Sequence, residues 1–255
     1  IYKSPSAELP ADFSGGFVRV MTKNIPDGNT FNVSYQMGFN TNATFRNFQL
    51  TDGTAKDYLG FGAGVRNLPS SFPAHLGEHS TDEAAAFTRQ INQRWGINKF
   101  TAIPDQKISL TSHRSYDVGG WKIGNITNLN WSTEFDYSET VNNNYIAYDV
   151  KNDVSRPRFE YNDIRYKNTS KLGALFNWSF QRDGSKYELR NFFSQRGVSA
   201  LTQREGMNYY SDKDIRKWES LYTGRTTYSG QISGVHTLRE NVNKVDWTVG
   251  YAFAS

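Results

Sequence analysis

Alternation of apolar and polar residues with a period of two, sustained over unusually long segments, is the feature that most constrains this chain. From Phe31 to Asn40 the odd positions read Phe31, Val33, Tyr35, Met37 and Phe39, and the even ones Asn32, Ser34, Gln36, Gly38 and Asn40. Between Trp121 and Tyr137, the odd set Trp121, Ile123, Asn125, Thr127, Leu129, Trp131, Thr133, Phe135 and Tyr137 opposes Lys122, Gly124, Ile126, Asn128, Asn130, Ser132, Glu134 and Asp136. Leu172–Gln181 and Val245–Ala254 obey the same rule, with Trp178, Trp247 and Phe253 in their apolar sets. Weaker versions run through Ile108–Tyr116, Tyr187–Phe193 and Tyr222–Leu238. Successive side chains of a strand point to opposite faces, so seven two-faced strands are expected.

Length separates two kinds of β architecture. Soluble strands cluster near ~5–6 residues, whereas a tilted membrane strand needs ~9–11. Most of these alternations are long, their polar sets are rich in Asn, Ser, Gln, Thr and Gly, and Trp or Tyr sits toward the ends of the apolar sets, as in interfacial girdles. A soluble antiparallel sheet with one wet face also alternates, and that alternative stays open on pattern alone. Composition narrows it: only 37% of residues are hydrophobic and the mean hydropathy is −0.68, yet Trp, Tyr and Phe make up 15% of the chain. Disordered polar tracts lack such aromatic content. There is no run near the ~18 apolar residues of a spanning helix, which excludes a helical membrane protein but not a barrel. Zero Cys excludes disulfides and thiolate sites. The charge balance, 29 − 25 = +4, is ordinary, and the basic residues are dispersed, against nucleic-acid binding. The chain opens Ile1-Tyr2-Lys3 with no initiator Met and no signal pattern, so its true start is expected upstream.

Connections read alternately long and short: about Thr41–Asp105, Gly119-Gly120, Thr140–Tyr161, Arg182-Asp183-Gly184, Val198–Arg216 and Arg239–Asn243. Gly-Gly and Asp-Gly permit the positive φ angles of tight hairpins. Tight turns on one rim with long loops on the other is how outer-membrane barrels are built. Inside the first long link, Ser80-Thr81-Asp82-Glu83 followed by Ala84–Ala86, Phe87, Ile91 and Trp95 predicts a capped helix of about four turns, ended by Gly96. The run Phe17–Thr22 is too short to span and is expected to belong to another element.

Leu9-Pro10-Ala11-Asp12-Phe13-Ser14-Gly15-Gly16-Phe17-Val18-Arg19-Val20-Met21-Thr22-Lys23 resembles the end of the plug domain of TonB-dependent outer-membrane transporters, especially the Bacteroidetes type. Asp57–Phe61, Arg66–Pro69, Pro104–Gln106 and Gly230–Thr237 resemble recurring elements of the same barrels. The resemblance implies an all-β chain: residues 1–27 as the end of a plug, and residues 28–255 as the N-terminal part of a transmembrane antiparallel β-barrel of about seven strands. A short helix would sit in the first extracellular loop. It further implies a Gram-negative outer-membrane location, with active uptake of a scarce ligand such as an iron chelate, cofactor, glycan or peptide. Its partners would be the inner-membrane TonB complex, outer-membrane lipid and a surface lipoprotein lid. No enzymatic activity and no cofactor are implied. Plugged transporters of ~22 strands give the scale. At about 32 residues per strand this chain would supply roughly a third of such a barrel. Open strand edges cannot face lipid, so the remainder is expected from elsewhere.

Other motifs are weaker. His75-Leu76-Gly77-Glu78-His79 matches the H-x-x-E-H pattern of inverted zinc peptidases, but Pro73 and Gly77 interrupt the rigid helix that this chemistry requires. Glu134 and Asp136, with Glu188 nearby, form a glycosidase-like carboxylate set, more simply read as solvated charges; they motivate the alternative of a soluble secreted β-protein that binds or cleaves glycans. Gly60–Gly64 lacks the strand-then-helix context of a nucleotide loop. Sequons at Asn32, Asn42, Asn125, Asn130, Asn168 and Asn177 are expected by chance in so Asn-, Ser- and Thr-rich a chain. No catalytic, metal or cofactor residue is assigned, and the substrate-binding residues are left unassigned.

Overall fold

The structure is a computed structural model and describes residues 25–91, 95–238 and 243–255. It is an all-β antiparallel architecture. The strands are β1 (Thr30–Gly38), β2 (Asn47–Thr51), β3 (Ile97–Thr101), β4 (Asp105–Val118), β5 (Trp121–Asp149), β6 (Val154–Arg182), β7 (Ser185–Asn208), β8 (Lys213–Leu238) and β9 (Asn243–Ala254), with one α-helix, α1 (Thr81–Arg89). Seven strands form one sheet in the order β1-β4-β5-β6-β7-β8-β9, and β2 and β3 pair separately. Apart from the β1–β4 excursion that carries the β2–β3 pair, the main sheet is an up-and-down meander. The expectation for residues 1–27, the end of a plug, falls almost wholly outside the described residues. Among the described residues the outer edges of β1 and β9 carry no further strand, and the sheet does not close.

Strand positions agree with the alternation, but strand lengths do not. β5 and β6 each run 29 residues, about 95 Å at ~3.3 Å per residue, and β7 and β8 run 24 and 26. The links expected as long loops at Thr140–Tyr161 and Val198–Arg216 are instead strand, with only residues 150–153 and 209–212 left as turns. Alternation fades in these segments because apolar residues such as Val141, Tyr145, Ile146 and Tyr148 mix with polar ones without period two, although the backbone ladder continues, with a register shift at Asn144–Ala147. At the opposite end the two described turns, β4–β5 and β6–β7, are two residues long. Gly119 and Gly120 both take positive φ (59° and 78°), as do Asp183 and Gly184 (46° and 75°), the combination that a two-residue turn between right-twisted strands requires.

Helix α1 begins as expected, with Ser80 Oγ accepting from Glu83 N and the Glu83 carboxylate accepting from Ser80 N at 3.0 Å. This closed capping box holds the Glu83 carboxyl below its usual range, chiefly through the Ser80 backbone hydrogen bond. The helix stops at Arg89, shorter than the four turns expected, because the segment has no buried residue to extend it by packing.

Sheet register sorts every residue of the wall onto one of two faces. Trp178, Trp247 and Phe253 share one face and do not pack together in a closed interior. Trp178 stacks on Phe180 with ring centres 6.1 Å apart, Trp247 lies against His236, and Phe253 lies against Tyr228 and Tyr251. The buried core is small and lies elsewhere. Phe48 of β2, fully buried, meets Phe100, Phe135 and Tyr166 with ring centres 5.2–5.6 Å apart, and Ala43 and Ala102 close the cluster.

Candidate functional site: a two-faced wall with a cap

Strand pairing aligns side chains in rows across the sheet. On one face, six successive rows run from the row of Val118, Trp121, Ser185 and Val245 to the row of Tyr35, Ile108, Trp131 and Leu172. Between them lie Val33, Leu110, Leu129, Phe176, Trp178, Phe180, Leu189, Phe193, Ile232, Val249 and Phe253. Many are open to their surroundings: Val249 is 67% exposed, Val33 63% and Ile232 49%. Aromatics gather at both margins, with Trp121, Tyr116, Tyr187 and Trp247 toward the two-residue turns and Tyr35, Trp131 and Tyr228 at the other margin. Beyond that margin the same face becomes mostly polar, its next row being Met37, Gln106, Thr133, Ser170, Gly197 and Gly224. Polar residues also interrupt the band: one central row carries Ser112, Thr127 and Asn191 beside Phe31, Phe176 and Tyr251, and the next row toward the turns carries Arg114 and Asn125. Asn125 is buried and donates to Asn177 O at 3.1 Å, while Arg114 sits four residues from the turn end of β4.

The opposite face carries Ser109, Thr111, Asn128, Asn130, Asn177, Ser179, Gln231 and Ser233, with Leu175 and Phe192 as a small apolar spot in register. Charges on this face are paired across strands: Lys171 with Glu134 at 3.0 Å, Lys167 with Asp136 at 2.6 Å, and Arg204 with Asp163 through two hydrogen bonds of 2.7 and 2.6 Å. The Arg204 guanidinium holds the Asp163 carboxyl below the usual carboxylate range, its hydrogen bonds contributing most, and the carboxylate in turn raises Arg204.

A cap built from residues 39–104 lies on the polar continuation of the apolar face. Gln203 Nε2 donates to Gln49 Oε1, Thr51 and Ser220 share a 2.7 Å hydrogen bond, and Trp131 Nε1 donates to Tyr58 O at 2.6 Å. The Arg66 guanidinium is held by Asp57 at 2.7 Å and lies 4.3 Å from the Tyr222 ring centre, while Gly62 N donates to the Tyr222 hydroxyl at 2.8 Å. Burial pushes the Tyr222 phenol up. Close approach is possible because both backbones present glycine: Gly60 has φ +83°, and a Cβ on Gly197 would stand 2.6 Å from Gly60 Cα. A cavity of roughly 300 Å³ remains between cap and sheet, lined by Leu50, Thr54, Tyr58, Phe135, Asn168 and Ser199 among others.

The motifs singled out in the sequence fall apart spatially. His75 and His79 flank a three-residue 3-10 turn with extended backbone at both, so they do not share a face of an α-helix. His79 instead lies 3.8 Å from Glu83 and edge-on to Phe87, and among the described residues there is no cluster of three or more metal-ligating side chains. Glu188 does not lie near Glu134: the register separates them by ten residues along the strands, roughly 33 Å. Glu188 is engaged by Lys186 and Arg190 at 2.6 and 2.5 Å, so the expected carboxylate set does not form. Gly60–Gly64 joins two 3-10 turns, Ala55–Leu59 capped by Gly60 and Gly62–Val65, and docks on the sheet, with Gly60 O accepting from Gln195 Nε2. Asn168 and Asn125 are buried, whereas Asn130 and Asn177 lie on the polar face as expected. The β2–β3 pairing and the cap contacts had no sequence signal beyond Phe48 and Phe100 flanked by polar residues.

No family model, no curated protein and no solved structure matches the chain.

Proposed function

We propose that this chain is part of the wall of a transmembrane β-barrel in a bacterial outer membrane, and that the barrel is a TonB-dependent transporter. The observation that supports this is the height of the apolar band. Six rows on one face span ten residue steps, about 33 Å along the strands, and at the ~35–45° tilt of outer-membrane barrels this projects to ~25 Å, the height of their apolar belt. Aromatic residues mark both margins, as membrane girdles do. A soluble sheet would cover such a face, since exposed apolar patches on monomers rarely exceed a few hundred Å². Arg114 is compatible with the band: it lies about 10 Å inside the nearer margin, within reach of a snorkelling guanidinium.

In this reading the polar face lines a lumen, the two-residue turns are periplasmic, and the long strand extensions and cap stand outside the membrane. The resemblance at residues 9–23 supplies the rest: a plug in the lumen, energy from the TonB complex, and uptake of a scarce ligand with no chemical transformation. Strand edges at β1 and β9 require further strands to close the wall. Membrane partitioning tests the proposal. Protein in isolated outer membranes should resist carbonate and high salt and be released only by detergent; release without detergent would refute it.

A further inference from the structure

One row of the polar face stands apart in charge. Lys107, Ser132, Lys171, Arg196 and Arg225 are direct register partners across β4, β5, β6, β7 and β8, which puts four cations in a single line. The two flanking rows contribute two acids, Asp105 and Glu134, leaving 4 − 2 = +2, and both acids stand on β4 and β5. Glu134 is taken by Lys171 at 3.0 Å, and Asp105 accepts from Phe135 N at 2.7 Å while burial raises its carboxyl. On β7 and β8 the flanking side chains are Ser194, Val198, Thr223 and Thr227. Arg196 and Arg225 are both exposed, face each other directly, and have no carboxylate partner among the described residues. Directly opposed residues of an antiparallel pair hold their Cβ atoms ~4.5–5.5 Å apart, and like charges placed so repel. Two guanidinium forks at that spacing converge naturally on one oxyanion, which each can grip in a bidentate manner.

We infer that Arg196 and Arg225, flanked by Lys171 and Lys107, form a binding strip for a solute anion, a carboxylate or a phosphate. The inference rests on the reading of this face as a lumen. The strip lies one residue step beyond the last apolar row of the other face, so it sits level with the outer margin of the apolar band, at the base of the strand extensions through which an incoming ligand passes. A line of uncompensated positive charge on the wall of a narrow polar passage raises the local concentration of anions and so biases what enters.

Calorimetric titration of the full-length protein in detergent at low salt, with citrate and pyrophosphate as separate probes, tests this and distinguishes carboxylate from phosphate. At least one probe should bind, with affinity falling as sodium chloride rises. Arg196→Gln and Arg225→Gln should each weaken it about tenfold, and Lys171→Gln less, because Glu134 already occupies that ammonium. Lys122→Gln, on the same face beside the two-residue turns, should leave affinity unchanged. Binding of neither probe, affinity indifferent to salt, or equal losses in the Arg variants and Lys122→Gln would overturn the strip. Carbonate extraction of the same protein separates the two levels: membrane-retained protein that binds neither probe refutes only the strip, whereas protein released by carbonate refutes the lumen on which it rests.

Discussion

Ile232→Arg distinguishes lipid from water on the apolar face by magnitude alone. Ile232 lies on β8 between Leu189 and Val249 in register, four residues from the margin row, hence about 10 Å inside a belt of ~25 Å and close to its midplane. It is 49% exposed. If water bathes this face, an arginine there meets solvent and the change should stay within about 0.5 kcal/mol, as for surface substitutions generally. If hydrocarbon bathes it, the cost should approach the ~2–4 kcal/mol measured for Arg at the midplane of barrel proteins. Gln231→Arg, one residue away on the opposite face, is the internal control and should be nearly neutral. Guanidinium unfolding of the full-length protein from lipid vesicles, followed by Trp fluorescence, reads both. Equal and small shifts for the two variants would refute the assignment of faces.

Other outcomes follow from the cap and the strand extensions. Phe48→Ala removes a fully buried ring from the small core and should cost ~3–5 kcal/mol locally, seen as faster proteolysis within residues 39–104 while the remaining strands stay protected. Gly197→Ala forces a methyl against Gly60 Cα and the Tyr222 hydroxyl, and should raise the same proteolysis rate. Tyr137 donates to the Glu139 carboxylate, which pushes its phenol up to about 12; an ultraviolet titration should show Glu139→Gln bringing it back toward the usual ~10. Asp163 is depressed in the folded state by Arg204, so its contribution is present above the unfolded value of ~3.9 and is lost as pH falls through the lower folded value. The stability difference between the native protein and Arg204→Gln should therefore be largest near neutrality and shrink on acidification in that range; a difference independent of pH would contradict it.

Where hydropathy alternates, the sequence places strands and faces correctly: Phe31–Phe39, Trp121–Tyr137 and Leu172–Phe180 need only the pleat to be read. Past Tyr137 apolar and polar residues mix without period two, so Thr140–Tyr161 looks like loop although its backbone remains in the ladder. The β2–β3 pair is five residues per strand, too short for periodicity to speak, and its position depends on Phe48 meeting Phe135 and Tyr166, which lie 87 and 118 residues further along the chain. The proximity of Glu188 to Glu134 failed for a related reason: face can be read from parity, but height along the wall needs the register. The same holds for the cation row, since Lys107, Lys171, Arg196 and Arg225 look dispersed until strand pairing aligns them.

Spin labelling gives the most direct test of which face meets hydrocarbon, and these 255 residues contain no cysteine that would have to be replaced first. Labels placed one at a time from Tyr228 to Val235 in the full-length protein, reconstituted in lipid, should alternate along β8. Labels at 228, 230, 232 and 234 should be relaxed by lipid-soluble oxygen, and those at 229, 231, 233 and 235 by a water-soluble nickel chelate. Relaxation by the aqueous reagent at every position, or alternation in the opposite phase, would contradict the account.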